Sequence, residues 1–197
     1  MLGRSGYNIF LILFFCLFLA CESEYTSMVK KELNSGKEHN ELIFGMKMGE
    51  TRKDFFETCW ELNKAEKISH GPENKHALYK TNLDSTAEQS QKVEMLFYGI
   101  FDSLQVMRGM DFKFTYTGWA IWNEHYHAEP LAIALTDYFI KKYGGNPFLE
   151  IEVATLGKKA FVKVDGNRQI KIYPIDSKEV RVKIEDLRYL PGYQDLI

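Results

Sequence analysis

Catalytic signatures are missing from this chain, and cysteine is scarce. There is no GxSxG, GxGxxG, Walker-type glycine loop or HExxH. That removes the short frames that hold a serine nucleophile, a dinucleotide, a triphosphate or a helical zinc pair. Acidic residues are many, but none forms a pair isolated on an apolar background, so no glycosidase pair can be picked out. An excess of one charge is also lacking. A net charge of −2 and a pI near 6.2 supply no electrostatic footprint for nucleic acid. No apolar run reaches the roughly 20 residues that a membrane-spanning helix needs. What is abundant is apolar and aromatic matter. Hydrophobic content of 45%, with 14% aromatic, over 197 residues argues for a packed globule that needs no covalent staples.

The chain opens on a leader. Arg4 and the amino terminus give a positive start. Ile9–Ala20 then carries no charged or amide side chain. That length suits the apolar core of an export signal. Small Ala20 stands directly before Cys21, where a signal peptidase requires a small side chain. Phe18-Leu19-Ala20-Cys21 resembles the lipobox of bacterial lipoproteins, with Phe18 at the position that usually holds Leu. The resemblance covers residues 1–21 and implies that 1–20 are a signal peptide. It also implies that Cys21 carries a thioether-linked diacylglycerol and an amide-linked chain. At roughly 0.8 kcal/mol per buried CH₂, several acyl chains make a durable membrane anchor. Glu22, not Asp, follows the cysteine, which in Gram-negative lipoproteins points to the outer membrane, with its periplasmic or outward face left open. Two alternatives remain at this stage: an ordinary secretory signal cleaved nearby, and an uncleaved anchor. With Cys16 removed and Cys21 lipidated, Cys59 stands alone and no intramolecular disulfide can form. Its place in an apolar helical pattern predicts a small buried hydrophobe.

Residues 21–40, polar throughout, read as a flexible tether, with room for a short helix around Met28–Leu33. One globular unit, 41–197, follows. Thr51 and Asp54 are spaced close to a capping box, and Phe55, Cys59 and Leu62 recur at helical spacing, widened by Phe56 and Trp60. Ala77–Leu83 and Val93–Phe101 read as strands, with the polar loop Asp84–Lys92 between them. Met110–Thr117 alternates apolar and polar side chains, as a strand with one wet face does. Pro130–Tyr143 predicts a second helix, stopped by Gly144-Gly145 and Pro147. Further strands are expected at 149–153, 161–164, 169–173 and 180–185, with Asp165-Gly166-Asn167 as a turn and Lys158-Lys159 in another. The tail from Leu187 reads as lying along the surface. The fold class is α+β, an antiparallel sheet packed by two main helices. The two halves, 41–118 and 128–190, share a helix-then-strands grammar that suggests tandem duplication. The phrase Gly45–Phe56, GMKMGETRKDFF, resembles the start of repeats in small α+β bacterial lipoproteins. The whole arrangement is similar to the β-lactamase-inhibitor-protein fold and to small outer-membrane lipoproteins. It implies helices on one sheet face and a free opposite face.

Chemistry concentrates in Tyr116–His127, YTGWAIWNEHYH. Three uses compete. Trp119, Trp122 and Tyr126 can close the end of the core. They can form, with His125 and His127, a binding surface for a protein partner or a glycan. His125 and His127, on one side of an extended segment and joined by Glu124, can begin a metal or hydrolytic site, which needs at least one more ligand from His70, His76 or a carboxylate. No metal and no cofactor is expected. The functional expectation is a lipid-anchored envelope protein of binding or scaffold type. Its alternatives are a periplasmic or surface hydrolase using residues 124–127, and an inhibitor or ligand-binding module that uses a free sheet face.

Overall fold

A computed structural model describes residues 23–83, 92–153 and 158–193. The leader, Cys21, most of the expected 84–92 loop and the last four residues lie outside the described residues. Three α-helices are present among the described residues: α1 (Glu24–Asn34), α2 (Arg52–Lys64) and α3 (Ala128–Tyr143). They accompany one antiparallel sheet of 8 strands. These are β1 (Ser69–His70), β2 (Ala77–Asn82), β3 (Lys92–Phe101), β4 (Met107–Tyr116), β5 (Leu149–Val153), β6 (Lys158–Asp165), β7 (Arg168–Pro174) and β8 (Val180–Asp186). The order across the sheet is β1-β2-β3-β4-β8-β7-β6-β5. Two four-strand meanders therefore meet along the β4–β8 seam, where Phe112 faces Val182 and Gly109 faces Glu185.

Period-two patterning places the core. Val93, Met95 and Phe97 of β3 share a face with Met110, Phe112, Phe114 and Tyr116 of β4, because the register pairs Phe97 with Phe112 and Met95 with Phe114. Val180, Val182 and Ile184 of β8 and Ile170 and Ile172 of β7 extend that face. All of these side chains are buried. Helix α3 lies on this inner face through Leu131, Ala132, Leu135 and Phe139. The Phe139 ring meets Phe114 at 6.3 Å and 90°, an edge-to-face contact. Each fully buried Phe contributes about 1.5–3 kcal/mol of hydrophobic stabilisation.

Local chemistry sets the helix ends. Thr51 Oγ1 accepts the Asp54 N–H, and the Asp54 carboxylate accepts the Thr51 N–H at 2.8 Å, completing the reciprocal cap. That hydroxyl and backbone N–H hold the Asp54 carboxyl below its ordinary pKa. Helix α3 begins at Ala128, two residues before Pro130. The proline is tolerated there because the first N–H groups of a helix have no intrahelical acceptor. Gly144 at φ 61° ends it.

The stretch read as a tether is ordered from Ser23 onward and carries α1. Val29 is fully buried against Val164 and Leu187, with Tyr25, Met28 and Leu33 beside it. Tyr25, Met28, Val29 and Leu33 form a narrow i, i+3, i+4, i+8 stripe that mean polarity hides. Val164 faces Gln169, whereas the adjacent Lys163 faces Ile170 of the inner core. Alternation thus puts α1 on the outer face of the sheet, opposite α3. The tail is held in the same way: Leu187 is buried, and Leu190 and Tyr193 pack on this second cluster. Lys158-Lys159, expected in a turn, instead begins β6, where Lys159 faces Glu152.

Across β4, β8 and β7 the outer face is a lattice of charges. Arg181 pairs with Asp111, Lys113 with Glu179 at 3.2 Å, and Lys171 with Glu185 at 2.7 Å. These groups pair with one another over the middle of that face, while Leu78, Leu96 and Tyr98 give it an apolar patch toward the β2–β3 side.

Candidate functional site

The aromatic segment expected to hold the chemistry is split by the fold. Tyr126 turns inward and its ring meets Tyr116 at 5.4 Å and 75°. Trp119 is half-buried. Its Nε1 donates to Ser177 O at 3.2 Å, and the Lys178 ammonium lies 5.5 Å from its ring. Trp119 is therefore pinned to the β7–β8 turn. Trp122 closes nothing: it is 85% exposed, next to Ile121 at 71%.

The two histidines do not converge. Glu124–Tyr126 is a 3₁₀ turn, not an extended segment. With about three residues per turn, neighbours at i and i+2 point apart. His125 is exposed, while His127 lies beyond the turn with Nε2 3.3 Å from Ala120 O and its ring 6.3 Å from Trp119. No group of three or more His, Cys, Asp or Glu side chains is placed to hold a metal among the described residues. Glu124, His125 and His127 therefore form no ligand set, alone or with another group, among the described residues.

The structure instead builds a cleft at the other end of the first meander. Helix α2 packs through Phe55, whose ring meets Tyr98 at 5.4 Å and Phe101 at 5.6 Å. It packs on β3 alone among the strands of the first meander that it meets closely. Its second aromatic pair, read from the sequence as widening the buried stripe, is left outside. Phe56 is 47% exposed and Trp60 68%. Below them lies a cavity of about 380 Å³, within the range of small-molecule sites. Its apolar wall is Phe55, Phe56, Cys59, Trp60, Ile68 and Tyr98, and its polar rim includes Asn63, His70, Lys75 and His76. Several contacts fix its shape. Arg52 donates to Tyr98 Oη at 3.0 Å and lies 5.5 Å from the Phe56 ring centre. Asn63 Nδ2 donates to Ile68 O at 3.1 Å, which ties the end of α2 to β1. The β1–β2 connection is closed by the Gly71 N–H donating to His76 O at 2.9 Å. Glu73 and Asn74 both sit at φ 55° in that connection. Left-handed backbone away from glycine is uncommon and gives this rim a defined shape.

Cys59 is half-buried in this wall, close to the buried hydrophobe the sequence predicts. Burial pushes its thiol up to about 11. An acid whose proton is held more tightly when folded loses stability as pH rises past its unfolded value, about 8.5. Between about 8.5 and 11 the unfolded chain gives up this proton and the folded chain keeps it. The expected result is slow chemistry: iodoacetamide at pH 8 labels Cys59 at least about tenfold more slowly in the native protein than in urea. Mass spectrometry of the Cys59 peptide reads this. Equal rates would show a thiol already ionised or freely exposed.

The cleft was missed because helical periodicity marks an apolar stripe but not its partner. Phe56 and Trp60 at i, i+4, displaced from the Phe55–Cys59 row, were the available signal. Comparison of the chain with known protein families, with curated proteins and with solved structures finds no match.

Proposed function

We propose that the chain is a lipid-anchored, non-catalytic binding or scaffold protein of the outer membrane of a Gram-negative envelope, attached through Cys21. The observation that carries this reading is the uncharged run Ile9–Ala20 ending in Phe18-Leu19-Ala20-Cys21. Two features support a binding rather than catalytic role. Large aromatic side chains, Trp60 on α2 and Trp122 in the connector between β4 and α3, stand exposed. Glu124, His125 and His127, the residues that would serve a hydrolase, lack the convergence that proton transfer or metal binding needs. A protein or glycan partner in the envelope fits such aromatic surfaces.

The tandem origin of the domain belongs to the same proposal. Helix α2 precedes β1–β4 and helix α3 precedes β5–β8, so a helix followed by a four-strand meander occurs twice. Their mirror-like placement about the β4–β8 seam supports duplication.

The anchor is tested by metabolic labelling. Radiolabelled palmitate is expected to enter the wild-type chain and to be absent from Cys21→Ala, with the variant lost from the membrane fraction. A wild-type chain that takes up no label, or whose mature terminus lies beyond residue 21, would overturn the proposal.

A further inference from the structure

We infer that the cleft between α2 and the β1–β2 hairpin binds a small, flat aromatic carboxylate. This inference rests on the reading of the chain as a binding module and names the ligand class of one site.

The cavity chemistry selects the class. The body of the ligand meets rings: Phe56 and Tyr98, 6.3 Å apart at 64°, and the outward Trp60. Rings already disposed edge to face present both faces and edges to a further aromatic group, which packs there by offset or T-shaped contact. The Cys59 thiol, held neutral by burial, adds a soft apolar surface. At about 380 Å³ the space is large enough for a two-ring molecule.

The rim selects the sign. No Asp or Glu lines the cavity. Lys75 is paired with Glu73, and Asn63 is spent on Ile68 O. His70 and His76 remain. Neither imidazole has a hydrogen-bond or ion-pair partner among the described residues; the His76 ring lies 6.4 Å from the Tyr98 ring. Both flank the hairpin, where His70 faces Ala77. An imidazole N–H beside an acid-free apolar wall donates to a carboxylate, whereas an ammonium group would find a ring lone pair there and no opposite charge. A neutral sugar would leave most of its hydroxyls facing rings, unpaired. A metal is excluded as the occupant because Cys59, His70 and His76 do not form a ligand set.

The test uses the full chain in lipid nanodiscs, which avoids detergent in the cleft, and isothermal titration with 1-naphthoate and its uncharged amide. The acid is expected to bind at least about tenfold more tightly than the amide, the discrimination of a charge-assisted hydrogen bond. Trp60→Ala, and separately the pair His70→Gln with His76→Gln, are each expected to weaken the acid at least about tenfold. Trp60 and His70 are exposed and His76 is half-buried with no hydrogen-bond partner among the described residues, so unfolding midpoints of these variants stay near wild type. Equal affinity for acid and amide, binding untouched by either variant, or no heat at about millimolar acid would each overturn the inference. Palmitate labelling is read separately, so failure here is distinguishable from failure of the anchor.

Discussion

Replacing Lys163 by Met is expected to lower stability by about 3–5 kcal/mol. Lys163 lies on β6 and is fully buried. Its ammonium donates to Gly144 O and Asn146 O at 2.5 Å each and pairs with Asp165 at 2.8 Å. Those two carbonyls belong to the turn that ends α3, where the negative end of the helix favours a cation. Asp165 Oδ1 in turn accepts the Asn146 N–H at 2.8 Å. Arg168, 2% exposed, stacks 4.1 Å from the Tyr143 ring. A single lysine thus joins a helix end to the β6–β7 hairpin. Its loss takes the ammonium from two carbonyls and leaves the buried Asp165 carboxylate with only the Asn146 N–H and the Arg168 guanidinium 3.7 Å away, which costs more than the pair itself contributes. Urea unfolding measures it. Adding Asp165→Leu to Lys163→Met is expected to cost less than the sum of the single changes, because the second removes the stranded charge. A loss under about 1 kcal/mol for Lys163→Met would show that water reaches and solvates the site.

The second large effect is steric. Gly109→Ala is expected to cost about 3 kcal/mol. A Cβ at this position would stand 2.0 Å from Ile184 O and 3.0 Å from the Glu185 Cα. Both are backbone atoms, so no side chain can rotate away, and β4 and β8 must part locally. Gly109 faces Glu185 at the pairing that joins the two meanders. The stability change is read by urea unfolding. Hydrogen exchange should localise the damage to the amides of β4 and β8, with β2 and β6 protected as before. A midpoint equal to wild type would mean that the seam shifts without loss.

These two positions also show why parts of the fold were legible and parts were not. Residues 110–117 alternate so cleanly that strand and core face could be read directly, and Phe112 and Phe114 are buried as that pattern requires. Thr51 and Asp54 marked a helix start because capping is a contact three residues long. Lys163 looked like any wet-face lysine. Only the pairing with Ile170 turns it inward, beneath a helix end 19 residues away. Gly109 gave no signal either, since the atom it must avoid belongs to a strand some 75 positions on, a separation that local pattern never spans. The convergence of His125 and His127 that a metal site would need does not occur, for a local reason: a short 3₁₀ turn stands in place of the assumed extended backbone.

Composition and periodicity alone settled that this is a mixed α+β chain with an antiparallel sheet, because those signals depend on neighbours within a few residues. Tertiary structure decided the rest: that β4 meets β8, that α1 covers the outer face, and that Phe56 and Trp60 are left over a cleft instead of inside the core. Each of those depends on which surfaces meet across long stretches of chain, and an exposed aromatic has the same local pattern as a buried one until its partner is in place.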